Sequence, residues 1–507
     1  MKFITALFGN GSPKKMGKQY MKVGKNALFG IKPSGIKEIY AEKGPTPLSL
    51  LLSRKGKVKH SRIAVILFGL FALAIGIILS SIPWVDYVLM KQLRLWNGSL
   101  SFQYWQKPGV VRLTKVYIFN VTNTDGFLNF GEKPKVEEVG PFVYKEDMEK
   151  VNIAFHDNGT VTYQHKKILN FMPEMSKDGD LRVMVPNIPL LRNGTLSEVH
   201  TIYTGEKGMK NFGLLNKLNG RDTLPFWPKE PCNSISASEG SFFPPRDTTG
   251  SDIVHLWDKD ICRILPLQYR GPADKTGIRA DLYTPTDTIF DPPSEETPDN
   301  ECFCQDEPEN CPVRGLQNIS PCQYTAPVYL SWPHFYKAAP ELLEAVEGLK
   351  PNQERHETYF KIQPKLGVPV EGKVRVQLNL KVEHQPAISA TANFPDIVFP
   401  IMWLEEGIDE LTPPIRRWMY LSTTFMDVAA PCFAYGLILL GFAILTTVIV
   451  KTYKSVRFAR EIVELSRRTE KKGSYLIVNG QHRLIIARDS YLCLNERYRE
   501  NVDPVAL

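Results

Sequence analysis

The chain has 507 residues, a formal net charge of +8 and 43% hydrophobic residues. Its basic residues are concentrated at the two ends and its acidic residues in the middle, so the positive total does not indicate a nucleic-acid-binding protein. The sequence has no Gly-x-Ser-x-Gly, His-Glu-x-x-His, dinucleotide-binding or haem-attachment pattern. We therefore predict no enzyme, no cofactor and no metal site, although one sequence by itself does not exclude an ecto-enzyme.

Residues 1–62 form the first segment, which holds 14 Lys and Arg against 2 Asp and Glu. This stretch is rich in Gly and Lys and poor in aromatic residues, so it has little with which to build a packed core. We predict a basic cytosolic N-terminal tail.

Two uninterrupted apolar runs follow the pattern of membrane-spanning helices. The first covers residues 63–82 and the second residues 428–450, and neither contains a charged side chain. At about 1.5 Å per residue, each run is about 30 Å or longer as a helix, which is enough to cross the hydrocarbon core of a bilayer. We predict a transmembrane helix at each run. The first should be a retained signal anchor rather than a cleaved signal peptide, because its basic region and apolar core are too long.

The charge of the flanking segments predicts the orientation. Residues 451–507 hold 12 basic and 7 acidic residues, whereas the loop 83–427 holds 36 basic and 45 acidic residues. Because basic flanks stay on the cytosolic side, both tails should be cytosolic and the loop extracellular or luminal. The predicted location is the plasma membrane, with an endosomal or lysosomal membrane as the alternative.

Asparagine triplets for N-linked glycans support this orientation. Five Asn-x-Ser/Thr triplets fall in the loop, and a sixth, at Asn10, lies on the predicted cytosolic side and should stay unmodified. The predicted glycosylation sites are Asn97, Asn120, Asn158, Asn193 and Asn318.

Six of the eight cysteines lie in one stretch of the loop, at Cys232, Cys262, Cys302, Cys304, Cys311 and Cys322. An even cluster in an oxidising compartment predicts three disulfides. The alternative is a zinc site, but the spacing lacks the paired Cys-x-x-Cys ligands that structural zinc sites use.

The loop is predicted to be one large domain made mainly of β-strands. Residues 110–120 and 373–382 alternate well, and 201–204 and 326–330 add shorter strands. Two helices are predicted, at 211–218 and at 339–348, the latter with Pro340 in its first turn. The Pro- and acid-rich residues 283–300 predict a loop.

Short motifs are distributed across the whole loop between the two predicted spans. They are residues 105–108, 113–123, 131–134, 136–145, 241–245, 260–263, 297–304, 333–335, 356–359 and 399–407. In sequence and in order they resemble the class B scavenger receptor family, which includes lipoprotein and fatty acid receptors and, in insects, croquemort, epithelial membrane proteins and sensory neuron membrane proteins.

The resemblance implies an α+β, mainly antiparallel fold: an irregular β-barrel ectodomain with a hydrophobic tunnel, anchored by two transmembrane helices. It also implies the disulfide pairs Cys232–Cys302, Cys262–Cys322 and Cys304–Cys311. The implied function is a receptor that binds lipids, fatty acids, sterols or lipoprotein-like particles and transfers hydrophobic cargo to the membrane. A tunnel would spare an alkyl chain the cost of exposure to water, about 0.8 kcal/mol per methylene.

One departure from the family lies after Leu191. Family members continue there into a bundle of helices at the membrane-distal apex and then through a Leu-Trp-Gly-Tyr-x-Asp-Pro word. This chain passes directly to residues 192–204, which resemble a later part of the family sequence. The sequence therefore predicts that the apical helical bundle is missing and that ligand binding is weakened or altered.

The C-terminal tail carries short motifs for protein partners. Tyr475 to Val478 and Tyr491 to Leu494 fit the Tyr-x-x-apolar pattern of endocytic adaptors, although the first could equally be a strand. The last three residues, 505–507, fit a PDZ groove. The alternative function is therefore a sorting or adhesion receptor that binds protein ligands through its ectodomain.

Overall fold

The computed structural model divides the chain into two compact units, which we describe separately. The helical unit comprises Met1–Ile77 and Tyr435–Leu507, and the β unit comprises Ile78–Ala434. The structure describes residues 53–54, 57–58, 60–177, 182–183, 198–246, 253–304, 311–323, 326–384, 395–471, 475–478 and 481–484.

The helices, in chain order, are α1 (His60–Ser81), α2 (Trp84–Leu93), α3 (Leu100–Gln106), α4 (Thr124–Phe130), α5 (Pro340–Glu344), α6 (Gln353–His356), α7 (Pro413–Tyr420) and α8 (Met426–Lys471). A π-helical turn, Leu421–Phe425, joins α7 to α8. Short 3₁₀ turns lie at Pro173–Met175, Met209–Asn211, Pro298–Phe303, Ser320–Cys322 and Pro333–Phe335.

The strands are β1 (Ser53–Arg54), β2 (Lys57–Val58), β3 (Val110–Val121), β4 (Val136–His156), β5 (Thr160–Phe171), β6 (Val199–Tyr203), β7 (Leu215–Leu218), β8 (Ile253–Asp258), β9 (Arg263–Lys275), β10 (Ile278–Pro285), β11 (Gln317–Asn318), β12 (Val328–Ser331), β13 (Tyr359–Gln363), β14 (Val368–Val382), β15 (Ile397–Leu411), β16 (Tyr475–Val478) and β17 (Gln481–Leu484). All of the named strand pairs are antiparallel.

Two helical stretches are long and apolar enough to cross a membrane, His60–Ser81 and Pro413–Phe458. They contain the two apolar runs, apart from Ile82 at the end of the first. Small residues let the two helices approach closely within the helical unit. A Cβ atom added to Gly441 would lie 2.7 Å from the carbonyl oxygen of Gly69 and 2.8 Å from the amide nitrogen of Leu73. Because a real Cβ is not tolerated at such distances, glycine is required at this crossing.

A 13-stranded sheet forms the β unit, and its main path runs β7-β6-β5-β4-β3-β15-β14-β13-β10-β9-β8, with β12 and β11 added beside β14. The central strands are long because β3, β4, β14 and β15 pair over most of their lengths, for example from Met402 opposite Ile118 to Leu411 opposite Val110. The observed fold is therefore mainly antiparallel β with helices. The strand order is open, with β7 and β8 at its ends, so the barrel and the tunnel remain predictions.

The residues Ala237 and Ser238 hydrogen-bond to both end strands. Leu215 N–H of β7 donates to the carbonyl of Ala237 at 2.9 Å. On the other side, Ser238 N–H donates to His255 O of β8 at 2.9 Å, and Trp257 N–H donates to Ser238 O at 2.7 Å. The Ala237–Ser238 segment thus lies between the two ends of the sheet.

All four predicted strands are present, with changes of one to five residues at their ends. The helix predicted at 211–218 is wrong: Met209–Asn211 is a 3₁₀ turn and Leu215–Leu218 is β7. Pairing with β6 outweighs the local preference for helix in this segment. In the paired strand, Leu215 and Leu218 both lie in the core and are nearly inaccessible to solvent. The helix predicted at 339–348 is shorter and consists of α5.

Candidate functional site

Two adjoining cavities lie inside the β unit. The first has a volume of about 310 Å³ and charged walls that include Arg112, Glu146, Lys167 and Glu406. The second has a volume of about 80 Å³ and is mainly apolar. We call them the charged compartment and the apolar compartment. Both are lined by Arg112, Met148, Gly240, Pro369 and Ile408, so these residues form a shared neck.

The apolar compartment is built by elements that adjoin the two long helices in the sequence. Leu93 comes from α2, which follows α1, and Ile415, Trp418 and Met419 come from α7, which leads through the π turn into α8. Aromatic side chains complete its wall, Trp105 among them. An apolar chamber of this kind accommodates hydrocarbon rather than water.

Alternate residues of two paired strands face the charged compartment. Glu146 and Met148 of β4, and Lys167 and Leu169 of β5, line it. Successive side chains of a strand point to opposite faces, so only one parity of each strand reaches the cavity. The strand registers bring the charged residues together, since Glu146 lies opposite Arg112 on β3 and Arg112 lies opposite Ile408 on β15.

Four of these side chains form an ionic quartet: Arg112, Glu146, Lys167 and Glu406. Lys167 Nζ lies 2.8 Å from Glu406 Oε1 and 3.2 Å from Glu146 Oε2. Arg112 Nη2 lies 3.2 Å from Glu406 Oε1, and its Nε lies 3.6 Å from Glu146 Oε2. Both cations therefore contact both carboxylates, and the quartet has no net charge when all four groups are ionised.

The two carboxyl groups of the quartet differ in pKa. Burial alone would raise the pKa of Glu406, but Lys167 and Arg112 lower it to about 2. Burial raises the pKa of Glu146, and the nearby Glu406 carboxylate adds to this effect, against Arg112 and Lys167. Glu146 therefore takes up a proton before Glu406 as the pH falls.

A second charged group adjoins the quartet. Lys150 is fully buried; its Nζ donates to Ser241 Oγ at 2.8 Å and lies 3.9 Å from Glu239 Oε1. His165 Nε2 lies 3.5 Å from the other oxygen of Glu239. Burial lowers the pKa of His165, and burial together with His165 lowers that of His200 to about 4. Both histidines are thus neutral near neutral pH.

A separate cluster, in a different part of the sheet, has the composition of a metal site. Glu138, His334 and His356 each place one ligand atom within 4.8 Å of the others. His334 Nδ1 accepts a hydrogen bond from Lys350 N–H, and His356 Nδ1 accepts one from Asn352 N–H, both at 3.0 Å. Both rings therefore carry their proton on Nε2, and neither ring offers a free nitrogen lone pair to a metal ion.

Hydrogen bonds already occupy the carboxylate of this cluster. Glu138 accepts from His334 Nε2 at 2.6 Å, from Trp403 Nε1 at 2.9 Å and from Arg355 Nη2 at 2.8 Å. Burial alone would raise the pKa of Glu138, but these donors lower it to about 2. Burial and His334 lower the pKa of His356 to about 3. We assign the histidine cluster, Glu138, His334, His356 and Trp403, to fold stability.

The structure pairs all six loop cysteines, as Cys232–Cys302, Cys262–Cys322 and Cys304–Cys311. These are the pairs that the family resemblance implied. They connect the segment before β8, the turn before β9 and the loop that follows β10, so they hold the Pro- and acid-rich region against the sheet. Cys432 is free and exposed.

The predicted glycan acceptors differ in exposure. Asn97 and Asn158 are exposed, and Asn120 is half-buried on β3. Asn318 is only 8% exposed, and its side-chain oxygen accepts a hydrogen bond from Ser320 N–H at 2.9 Å. Asn193 lies outside the described residues. Glycosylation at all five positions stays a prediction.

Of the predicted tail motifs, only Tyr475 to Val478 lies among the residues that the structure describes. Tyr475 and Val478 are the ends of β16, which pairs with β17. Tyr491, Leu494 and the last three residues lie outside the described residues, as does Leu191, after which the resemblance predicts a missing segment.

None of the four residues of the quartet is predicted as a site residue from the sequence. Its members are single charged residues in strands β3, β4, β5 and β15, and their neighbours on the same strands include other charges that face outward, such as Lys145 and Asp147. A charge at the inward parity of an alternating strand is the pattern that could have revealed them, once the parity was known.

Several curated proteins align over most of their lengths. Scavenger receptor class B member 1 of Bos taurus is 28% identical over 460 residues, covering 77% of this chain and 88% of the relative. Lysosome membrane protein 2 of Homo sapiens is 30% identical over 416 residues, covering 68% and 85%. Sensory neuron membrane protein 2 of Manduca sexta is 28% identical over 458 residues, covering 71% and 87%.

These alignments are longer than the part of this chain that they cover. In the bovine alignment, 77% of 507 residues is about 390 residues, so about 70 of the 460 aligned positions have no counterpart here. The human alignment gives the same difference, about 70 positions. Both figures agree in size with a missing segment of several tens of residues.

The model of the CD36 family matches in two pieces, residues 65–193 and 191–452. The pieces meet at 191–193, where the sequence departs from the order of the class B scavenger receptors. Together they extend from the first apolar helix to the second and include both cavities and all three disulfides. The chain is a membrane receptor that belongs to the CD36 family.

Proposed function

We propose that this chain is a lipid receptor that takes up hydrophobic cargo, from lipids or lipoprotein-like particles, and transfers it to the membrane through the interior of the β unit. The observation that carries the proposal is the pair of adjoining cavities. The apolar compartment is lined by α2 and α7, which are continuous in sequence with the two candidate spans. Cargo in that compartment would be surrounded by apolar side chains until it entered the bilayer.

We propose that the sheet is closed into an irregular barrel through the Ala237–Ser238 segment. Support comes from its backbone hydrogen bonds to β7 on one side and to β8 on the other. The two cavities lie among strands from both halves of the sheet order, including β5, β8 and β15. A barrel interior reached through these cavities would be the tunnel that the family resemblance implies.

The proposed topology has cytosolic segments 1–62 and 451–507, spans at 63–82 and 428–450, and an extracellular or luminal segment 83–427. The acidic loop between two basic tails supports it. Exposed acceptors at Asn97 and Asn158 also fit this orientation. We place the protein at the plasma membrane, with the endosomal or lysosomal membrane as the alternative.

The absence of the segment that the relatives carry after the position of Leu191 should weaken the capture of large ligands. The bovine and human relatives carry about 70 aligned positions that this chain lacks, and the resemblance puts the missing part at the membrane-distal apex. We therefore expect this chain to handle small lipids better than lipoprotein particles. Equal particle capture by this chain and by a version with the relative's segment restored would contradict that expectation.

The test is lipid uptake by cells that display the full chain. Ile408→Trp places a large side chain in the neck that the two compartments share, and it should reduce uptake to the level of cells without the receptor. Ile168→Trp is the matched control, because Ile168 is exposed on β5. Mature glycans on both variants would show that both fold. Uptake unaffected by Ile408→Trp would refute transfer through the interior.

The second candidate function is a sorting or adhesion receptor for protein ligands. The observation that favours it is a pair of exposed apolar side chains, Leu169 and Phe171, on one face of the half of β5 beyond its pairing with β6. Endocytic adaptors at Tyr475 or Tyr491 and a PDZ protein at the C-terminus would be its cytosolic partners. Loss of internalisation in Tyr475→Ala or Tyr491→Ala, with lipid uptake unchanged, would support this function.

A further inference from the structure

The charged compartment has its cationic side chains already matched by carboxylates. Arg112 and Lys167 share Glu406 and Glu146 within the quartet. Lys259 Nζ lies 3.4 Å from Asp260 Oδ1. Among the described residues that line this compartment, every Lys and Arg therefore has a carboxylate within ion-pair distance.

The carboxyl groups of the compartment are not matched in the same way. Five of them line it, Glu146, Glu239, Asp258, Asp260 and Glu406, against two Lys and one Arg. Lys150 lies behind this wall, beside Glu239, and the two lining histidines are neutral near neutral pH. Burial raises the pKa of Asp258 to about 7, so this group is only partly ionised near neutral pH. The compartment therefore has no surplus of cation to receive an anionic head group.

Glu146 has an oxygen that is available to a hydrogen-bond donor. The residue is 4% exposed, and the ion pairs from Arg112 and Lys167 both reach Oε2. The Glu146 carboxyl group, when protonated, also donates a hydrogen bond to the Glu406 carboxylate. Within the described part of the chain, Oε1 accepts no hydrogen bond from another protein group. A buried acceptor without a donor is unfavourable, by about 1–3 kcal/mol in typical cases, unless a ligand or water supplies the proton.

We propose that the charged compartment selects an uncharged amphiphile with a hydroxyl head group, such as a long-chain alcohol, over a fatty acid anion of the same chain length. The hydroxyl would donate to Glu146 Oε1, and the alkyl chain would extend through the neck at Met148 and Ile408 into the apolar compartment. This inference rests on the proposed lipid-binding function and specifies the ligand class of the same cavity.

The discrimination follows from electrostatics in an enclosed site. A fatty acid carboxylate would add a negative charge where each cation is already paired, and it would meet the Glu146 and Glu406 carboxylates at short range. It would also leave Glu146 Oε1 without a donor, because a carboxylate only accepts hydrogen bonds. A hydroxyl satisfies that oxygen and adds no charge.

The experiment is photolabelling of the full chain in phosphatidylcholine nanodiscs near neutral pH. The probes are a long-chain alcohol and the fatty acid of equal length, each with a diazirine at mid-chain. Labelling of peptides that contain Met148 or Trp105 is divided by labelling of the His60–Ser81 peptide, which corrects for partition into lipid. We expect the corrected ratio of alcohol to acid to be about ten-fold for the cavity peptides.

Two variants test the charge argument. Glu146→Gln removes one negative charge and leaves the quartet with an unmatched cation, so acid labelling should rise and the ratio should fall toward one. Glu406→Gln should shift the ratio in the same direction, which guards against an effect of Glu146 on folding. Glu137→Gln, exposed on the same strand as Glu146, is the matched control and should keep the wild-type ratio.

The outcomes separate the inference from the proposed function. Equal or stronger cavity labelling by the acid in the wild-type chain would overturn the alcohol selectivity and leave lipid binding intact. An alcohol preference that both Gln variants retain would overturn the role of the quartet. Cavity labelling by neither probe would overturn the proposed function and this inference with it.

Discussion

The histidine cluster and the ionic quartet are built from similar buried, titratable residues, and among the described residues each leaves a buried polar atom without a hydrogen-bond partner, the His356 Nε2 donor in the first and the Glu146 Oε1 acceptor in the second. They differ in what surrounds that atom. In the histidine cluster, Glu138 accepts three hydrogen bonds, and the two rings are fixed by backbone N–H donors. In the quartet, Glu146 keeps a buried oxygen without a donor beside a cavity of about 310 Å³. Perturbed pKa values occur in both regions, so the cavity and the free acceptor, rather than the pKa, distinguish a candidate binding site from a structural cluster.

The largest expected effect is a loss of stability when the histidine cluster is changed. Trp403→Ala removes a 1% exposed side chain that stacks on Tyr117 at 3.9 Å and donates to Glu138. The expected loss is about 3–5 kcal/mol in the free energy of unfolding. Thermal unfolding of the purified chain measures it, with Trp96→Ala, at an exposed tryptophan, as the control. A small loss in Trp403→Ala would mean that this cluster is not central to stability.

The quartet should show the opposite balance, with a smaller cost in stability and a larger change in binding. Glu406→Gln leaves Lys167 and Arg112 with one carboxylate between them, and we expect a loss of about 1–3 kcal/mol. Lipid selectivity should change strongly in the same variant, whereas in Trp403→Ala any folded protein should keep wild-type selectivity. Measuring unfolding and photolabelling on both variants sharpens the comparison, and a reversed pattern would assign the structural role to the quartet.

Acidification should destabilise the β unit through its buried histidines. The pKa values of His200 and His356 are lowered to about 4 and about 3, whereas an unfolded histidine titrates near about 6.5. The unfolded state therefore binds protons first, and stability from these groups is lost as the pH falls from about 6.5 toward 3.

Asp258 opposes this trend, because burial and the charges of Asp260 and Glu406 raise its pKa to about 7. Its contribution to stability grows as the pH falls from about 7 to 4.

Unfolding curves measured across this pH range test the histidine contribution. On acidification, His356→Gln should lose less free energy of unfolding than the wild-type chain. An identical pH dependence in the two proteins would show that His356 does not contribute.

The smallest effect concerns glycans. Asn158 is exposed in the turn between β4 and β5, whereas Asn318 is buried on β11 and holds Ser320 N–H. Because the transferase needs an accessible side-chain nitrogen, we expect high occupancy at Asn158 and low occupancy at Asn318 if folding precedes transfer. Site-resolved mass spectrometry of protein that has passed through the secretory pathway measures both occupancies. Full occupancy at Asn318 would imply that the glycan is transferred before β11 pairs with β12.

Local patterns predicted the elements that depend on neighbouring residues only. The alternation of residues 110–120 predicted β3 to within one residue of its observed end, and the two apolar runs predicted helices at α1 and α8. The prediction of a helix at 211–218 was wrong because the structure of this segment depends on pairing with β6, another strand of the chain. Word-level resemblance, not spacing, supplied the three cysteine pairs.

The sequence by itself determined that the chain has two apolar helices of membrane-spanning length, an acidic middle segment between basic tails, and six clustered cysteines, because composition and run length are local properties. The interior of the β unit was decided by the tertiary structure alone. Arg112, Glu146, Lys167 and Glu406 lie up to 294 residues apart in sequence, as the Arg112–Glu406 bond shows, and strand register brings them together. Because a shift of one residue in any of these strands would turn its charge outward, the pattern within a single strand reveals these charges only after the pairing has fixed which face points inward.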